Sequence, residues 1–165
     1  MGRANTTTIA AWEMPSPGAT DSVALAIPLI SRKDAALSGS TVRLELPATS
    51  GYLVLARAAA AAMCAQLDYP LDRLEDVKLA VDEGCTLLLS DTDPDQMMTL
   101  VLNQDGTGRM QISMAATTRQ GKPPKKPSFA WTVLSALVDR VSANTHNGRL
   151  TISLEASRGD VSVTS

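Results

Sequence analysis

LEDVKLAVDEGCTLLLSD, residues Leu74 to Asp91, decides how this chain is read. Leu74, Val77, Val81, Cys85 and Leu88 recur at helical spacing and form an apolar stripe down one side of a helix. Glu83 falls on another side, with Asp76, Leu79, Ala80, Thr86, Leu87 and Ser90 around it. That mixed surface suits a pocket wall, whereas most helix carboxylates simply face water. Periodicity alone leaves both readings open.

Outward from this helix the chain alternates between strand and helix patterns. Upstream, TVRLELP (Thr41–Pro47) sets Val42, Leu44 and Leu46 against polar neighbours, as in a half-buried strand. Ser50 is placed to cap a first helix over residues 50–67, whose alanines favour helix and admit a close neighbour. Pro70 restarts the chain, the second helix covers residues 72–90, and Asp91, Asp93, Pro94 and Asp95 close it.

Downstream, strands are expected at 98–102 and 110–115, joined through the turn Asp105-Gly106-Thr107-Gly108. RQGKPPKKP (Arg119–Pro127) reads as a solvated loop, although Lys122, Lys125 and Lys126 would draw an anion. A third helix, residues 128–139, starts at Ser128 as its cap and is expected to bury Phe129, Val133, Leu134, Leu137 and Val138. A closing hairpin pairs 141–143 with 150–154 through Thr145-His146-Asn147-Gly148. His146, the only histidine, decorates this turn. The expected fold is α+β, a two-layer sandwich with about three helices on one face of a mixed, mostly antiparallel sheet.

Composition narrows the function classes. The chain has 165 residues and 44% apolar content, enough for one compact domain. A net charge of −2 and 3% aromatics leave neither the basic footprint nor the stacking rings of a nucleic-acid binder. Cys64 and Cys85 fall on apolar helix faces without zinc-ligand spacing, so buried free thiols in a reducing compartment are expected. Residues 1–40, with their TTT, PSPG and SGS segments, read as a flexible arm, with an added edge strand at Ser22–Leu29 as an alternative. Val23–Ile30 is too short to span a bilayer and the start lacks signal-peptide order, so no export and a cytoplasmic location are expected. The folded domain is assigned to residues 41–156 and a short tail to 157–165.

From about Val42 to Leu154 the chain resembles bacterial anti-sigma factors of the RsbW and SpoIIAB type, serine protein kinases of the GHKL ATPase superfamily. LARAAAAAMCAQLD (Leu55–Asp68) is similar to their first helix, and VKLAVDEGCT (Val77–Thr86) to the helix bearing their E-x-x-x-N box. The resemblance implies the Bergerat fold, with ATP and magnesium as cofactors. It puts the general base at Glu83 and the nucleotide contacts at Glu83, Thr86, Leu87, Ala116, Ser128, Ala130 and Thr151.

The sequence departs from the family at three places. Leu87 stands where the magnesium-holding asparagine belongs and offers no oxygen. Thr86 is a poorer ligand, and Asp82 projects about 100° from Glu83 around the helix. Ala115–Thr118, AATT, replaces the D-x-G-x-G box and has no carboxylate for the adenine amino group. Ser128-Phe129-Ala130 replaces the glycine pair that meets phosphate, and a phenylalanine there is expected to crowd it.

The resemblance therefore implies a regulator that sequesters a sigma factor and is captured by an anti-anti-sigma (STAS-type) partner, with ATP binding weak or lost. Arg57 is the expected partner-binding residue, and family members commonly form homodimers. The alternative is an active ATP-dependent serine kinase that phosphorylates the anti-anti-sigma factor. A scaffold that kept only the fold is a third reading.

Overall fold

The computed structural model describes residues 39–124 and 128–159. The expected arm before Gly39, its Ser22–Leu29 strand, Lys125 and Lys126 of the loop, and the tail beyond Gly159 lie outside the described residues. Within them the elements run β1 (Ser40–Pro47), α1 (Leu53–Gln66), α2 (Leu71–Leu89), β2 (Met97–Gln104), β3 (Arg109–Thr117), α3 (Phe129–Leu137), β4 (Arg140–His146) and β5 (Arg149–Ser157). Ser157, assigned from sequence to the tail, ends β5.

The five strands form one sheet in the order β1-β2-β3-β5-β4. Every pairing is antiparallel, in line with the mostly antiparallel sheet expected from the sequence, and none of the parallel pairing that a mixed sheet would add is seen among the described strands. Two of these pairs are tight hairpins. Asn147 and Gly148 both take positive φ, 49° and 75°, as the two-residue β4–β5 turn requires. The β2–β3 turn is held by Asp105, whose carboxylate accepts from the Thr107 hydroxyl at 2.6 Å and the Thr107 N–H at 2.8 Å. Those bonds hold the Asp105 carboxyl below its usual range.

Register sorts the side chains onto two faces. Leu44, Leu100, Met114, Ile152 and Ala143 form one row, and Val42, Leu102, Ile112, Leu154 and Val141 the next. Most of these are buried with Ala56, Ala60, Met63, Val77, Val81, Leu88 and Leu134 of the helices in a single core. The opposite face carries rows such as Arg43, Val101, Ser113, Ser153 and Ser142, which are mostly polar. One apolar and one polar face per strand is the alternation that the sequence shows.

Three expectations about the helices need correction. Ser50 caps nothing: it begins a short 3-10 turn, Ser50–Tyr52, that leads into α1. Ala80, grouped from sequence with Glu83, is fully buried because α2 packs against α1 and α3 as well as against the sheet and so buries more than one stripe. Phe129 is 85% exposed and lies outside the core, since α3 directs only Leu134 of its nine residues fully inward. Ser128 does cap α3, accepting from the Trp131 N–H at 3.3 Å.

Long-range polar contacts fix the layers. Tyr69, after α1, donates its hydroxyl to the Ala156 carbonyl at 2.7 Å, and Asp68 beside it takes the left-handed φ of 53° that ends the helix. Arg73 at the start of α2 donates to the Leu137 carbonyl at 2.7 Å, to the Ser157 carbonyl at 3.0 Å and to the Asp139 carboxylate. Asp139 in turn accepts from the Ser157 N–H at 2.7 Å, so one arginine ties α2, the end of α3 and the end of β5. No helix among the described residues is long and apolar enough to cross a membrane.

Candidate functional site

Glu83 lies on α2, half-buried, between buried Gly84 and half-buried Asp82. Gly84 brings the helix down onto the sheet: a Cβ there would stand 2.6 Å from Met114 Sδ of β3. Cys85 packs on the same atom, its Sγ 3.8 Å from Met114 Sδ. Glu83, the residue before Gly84 on α2, sits at the boundary of the core. No hydrogen bond or ion pair engages its carboxylate among the described residues.

The other residues expected at a nucleotide site are dispersed over several elements. Leu87, one turn beyond Glu83, packs against the core and puts a hydrocarbon where a magnesium ligand would stand. Thr86 is exposed and lines an open hollow of about 310 Å³ with Ala48, Thr49, Leu53, Leu89 and Pro94, mostly apolar groups. Ala116 is wholly buried on the helix-facing side of β3. Ser128 and half-buried Ala130 begin α3, where the Ser128 hydroxyl already occupies an amide that a phosphate would meet.

Thr151 is set apart. It pairs with Ala115 and Asn144 in the row that contains Thr99 and Glu45, on the face of the sheet away from the helices. On that face Arg149 donates to Thr99 Oγ1 at 2.6 Å, and Thr99 donates to Glu45 at 3.1 Å. The sheet therefore separates Thr151 from Glu83. Among the described residues no three His, Cys, Asp or Glu side chains form a metal-holding group. This donor set does not fit a magnesium-bound triphosphate.

Arg57 is better defined than the sequence suggested. Named from the resemblance as the expected partner-binding residue, it donates from Nη1 to Asp82 Oδ1 of α2 at 2.6 Å. The two side chains are 40% and 32% exposed, so the pair sits at the surface of the α1–α2 hairpin. Its Nε and Nη2 donors make no bond among the described residues, which leaves one edge of the fork open to a carboxylate. Val54, one turn before Arg57 on α1, and Leu79, one turn before Asp82 on α2, are about half exposed, at 54% and 51%. Sequence reasoning missed Asp82 as the partner because 25 residues separate the two, and no local pattern signals such a pair.

Cys64 and Cys85 are free and buried. Burial pushes their thiols up to about 11 and about 12, so neither is a ready nucleophile. His146 is exposed at the end of β4.

No family model matches the chain. It is 35% identical over 109 residues to the anti-sigma-F factor RsbW of Mycobacterium tuberculosis, in strains CDC 1551 and H37Rv alike. The aligned part is 66% of this chain and 63% of the curated relatives, less than two thirds of their length. Among solved structures it is similar to the crystal structure of the RsbU and RsbW domains of Rv1364c from Mycobacterium tuberculosis. There the TM-score is 0.59 at 16% identity, covering 72% of this chain and 32% of the other, which supports the fold alone. In sequence the chain is thus similar to the RsbW anti-sigma factors over 109 residues, and in fold to a structure that contains an RsbW domain.

Proposed function

We propose that this chain is an anti-sigma regulator of the cytoplasm that binds and sequesters a bacterial sigma factor and is controlled by an anti-anti-sigma (STAS-type) partner. The observation that carries this reading is its 35% identity to RsbW over 109 residues. The α1–α2 hairpin is the part of the molecule best suited to the task. It offers exposed Val54 and Leu79 one helical turn from Arg57 and Asp82, and Asp82 sets the orientation of Arg57. An ordered guanidinium with a free edge loses little freedom when a partner carboxylate arrives, and apolar neighbours exclude water from the new pair.

ATP binding is weak or lost in this reading. Leu87 supplies no metal ligand, the Ser128 hydroxyl occupies the α3 N-terminus, and Thr151 is on the opposite face of the sheet. Glu83 alone is left of the kinase apparatus, and a carboxylate without positioned phosphates transfers nothing.

The test is sigma-factor binding in solution for the wild type and Arg57→Ala, using each sigma factor of the source genome in turn. Loss of about 2 kcal/mol, roughly thirtyfold in affinity, is expected for the cognate factor. Binding of none of them by the wild type overturns the reading, and unchanged affinity removes Arg57 from the interface. Stoichiometric phosphoserine on a STAS-type protein incubated with magnesium and ATP would restore the kinase instead.

A further inference from the structure

One helical turn beyond the Arg57–Asp82 pair, the seam between α1 and α2 opens into the hollow that Thr86 lines. Leu53 stands four residues before Arg57 on α1, Thr86 stands four residues after Asp82 on α2, and both border it. Ala48, Leu89 and Pro94 supply much of the remaining wall, so the interior is mostly apolar, with a volume of about 310 Å³. Small-molecule sites span roughly 300 to 1,000 Å³ and enclose most of their ligand. This hollow lies at the lower end of that range and is open at exposed Ser50, Thr86 and Pro94, and no charged side chain of the described residues lines it. It therefore suits one bulky apolar side chain delivered from outside better than a free molecule.

The surroundings fit delivery by a helix. Of the fourteen residues of α1 only Arg57 is charged, and exposed Val54, Ala58, Ala62 and Ala65 form one uncharged stripe beside it. A surface helix ordinarily turns charged or polar residues to water, so this stripe is suited to being covered, and its alanines let another helix come close. Charge then distinguishes the two ends of the seam. Arg57 keeps one edge of its guanidinium open at the first end, about one turn, or about 5.4 Å, from the hollow. At the other end exposed Asp93 and Asp95 flank Pro94; Asp93 lies 3.7 Å from Arg119 Nε, and Asp95 has no ion pair among the described residues. Positive, apolar and negative patches thus follow one another.

We infer that the α1–α2 seam takes an amphipathic helix of a partner protein, with an acidic residue for Arg57, a bulky apolar residue one turn away for the hollow, and a basic residue further along for Asp95. The inference rests on the regulator reading and deepens it by naming the feature of the partner that is recognised. The apolar residue is the anchor and supplies most of the affinity, while the charges at the two ends set direction and register.

Binding of alanine-based helical peptides to the full chain, followed by fluorescence anisotropy, tests it. The probe peptide carries Glu, Leu and Lys at positions i, i+4 and i+8, and three control peptides replace its Glu by Lys, its Leu by Ala or its Lys by Glu. The probe is expected to bind, and each control to bind about tenfold more weakly. On the protein, Thr86→Trp fills the hollow from an exposed position and Arg57→Ala removes the guanidinium; each is expected to weaken the probe about tenfold with the urea unfolding midpoint nearly unchanged. Absence of probe binding overturns the inference, as does equal binding of the Leu-to-Ala control or unaltered binding to Thr86→Trp. A wild-type dimer in sedimentation that Thr86→Trp dissociates would put a second copy of this chain in the hollow and overturn it too. No sigma factor enters these measurements, so failure to bind one would overturn the regulator reading and leave the peptide results standing.

Discussion

At Gly84 the missing side chain is what lets α2 approach β3. Alanine there would gain about 1 kcal/mol of helix propensity over glycine. Its Cβ would also meet Met114 Sδ at 2.6 Å in a core position with no exposure, and overpacking typically costs about 1 to 3 kcal/mol. The clash wins, and Gly84→Ala is expected to lower stability by about 1 kcal/mol in urea unfolding. Adding Met114→Ala should make the alanine at 84 favourable, a coupling that a double-mutant cycle measures. Arg57 contrasts with this. Its pair with Asp82 is half exposed, and such pairs contribute about 0.2 to 1 kcal/mol. Arg57→Ala should therefore leave the unfolding midpoint nearly unchanged, so that a loss of partner binding in that variant reports the interface and not the fold.

Among the elements, α2 is held at its first turn by Arg73. The guanidinium bonds a carbonyl of α3, a carbonyl of β5 and the carboxylate of Asp139 just before β4, with its side chain only 19% exposed. Arg73→Ala would strand those acceptors and is expected to cost about 2 kcal/mol by urea unfolding. Arg73→Lys should recover less than half, because an ammonium cannot span the same fork of acceptors. The elements themselves were legible from sequence wherever the signal was local: the α2 stripe, the Ser128 cap, the Asp105–Gly108 turn and the Asn147-Gly148 turn. Signals that depend on a neighbour were not. Phe129 looked like core by its chemistry, yet it lies about 140° around α3 from Leu134 and so faces solvent. Of the site, Glu83 and Arg57 could be picked out along the chain. Asp82 acquires meaning only when distant residues meet, and the placement of Thr151 on the far face needed the strand register.

Across the described residues, the hydrophobic layer between helices and sheet holds Cys64, Cys85 and Tyr69 in their protonated forms. Desolvation by burial is the largest cause for each, raising them from 9.0 to about 11, from 9.0 to about 12 and from 10.0 to about 12. All three are acids whose folded values lie above the unfolded ones, so the folded chain binds more protons wherever pH exceeds the unfolded values. Their contribution is complete below about pH 9 and is lost as pH rises toward 12. Each group adds up to about 1.4 kcal/mol of lost stability per pH unit inside its own window. Urea unfolding repeated from neutral pH to pH 11 should thus show a decline that begins near 9 and steepens above 10, where Tyr69 joins the two thiols. Cys85→Ala removes one of these protons, and its stability, lower at neutral pH because of the lost sulfur contact with Met114, should fall less steeply above pH 9. Parallel declines in the two proteins would mean that Cys85 is not protected by the core, and that the layer between α2 and β3 admits water.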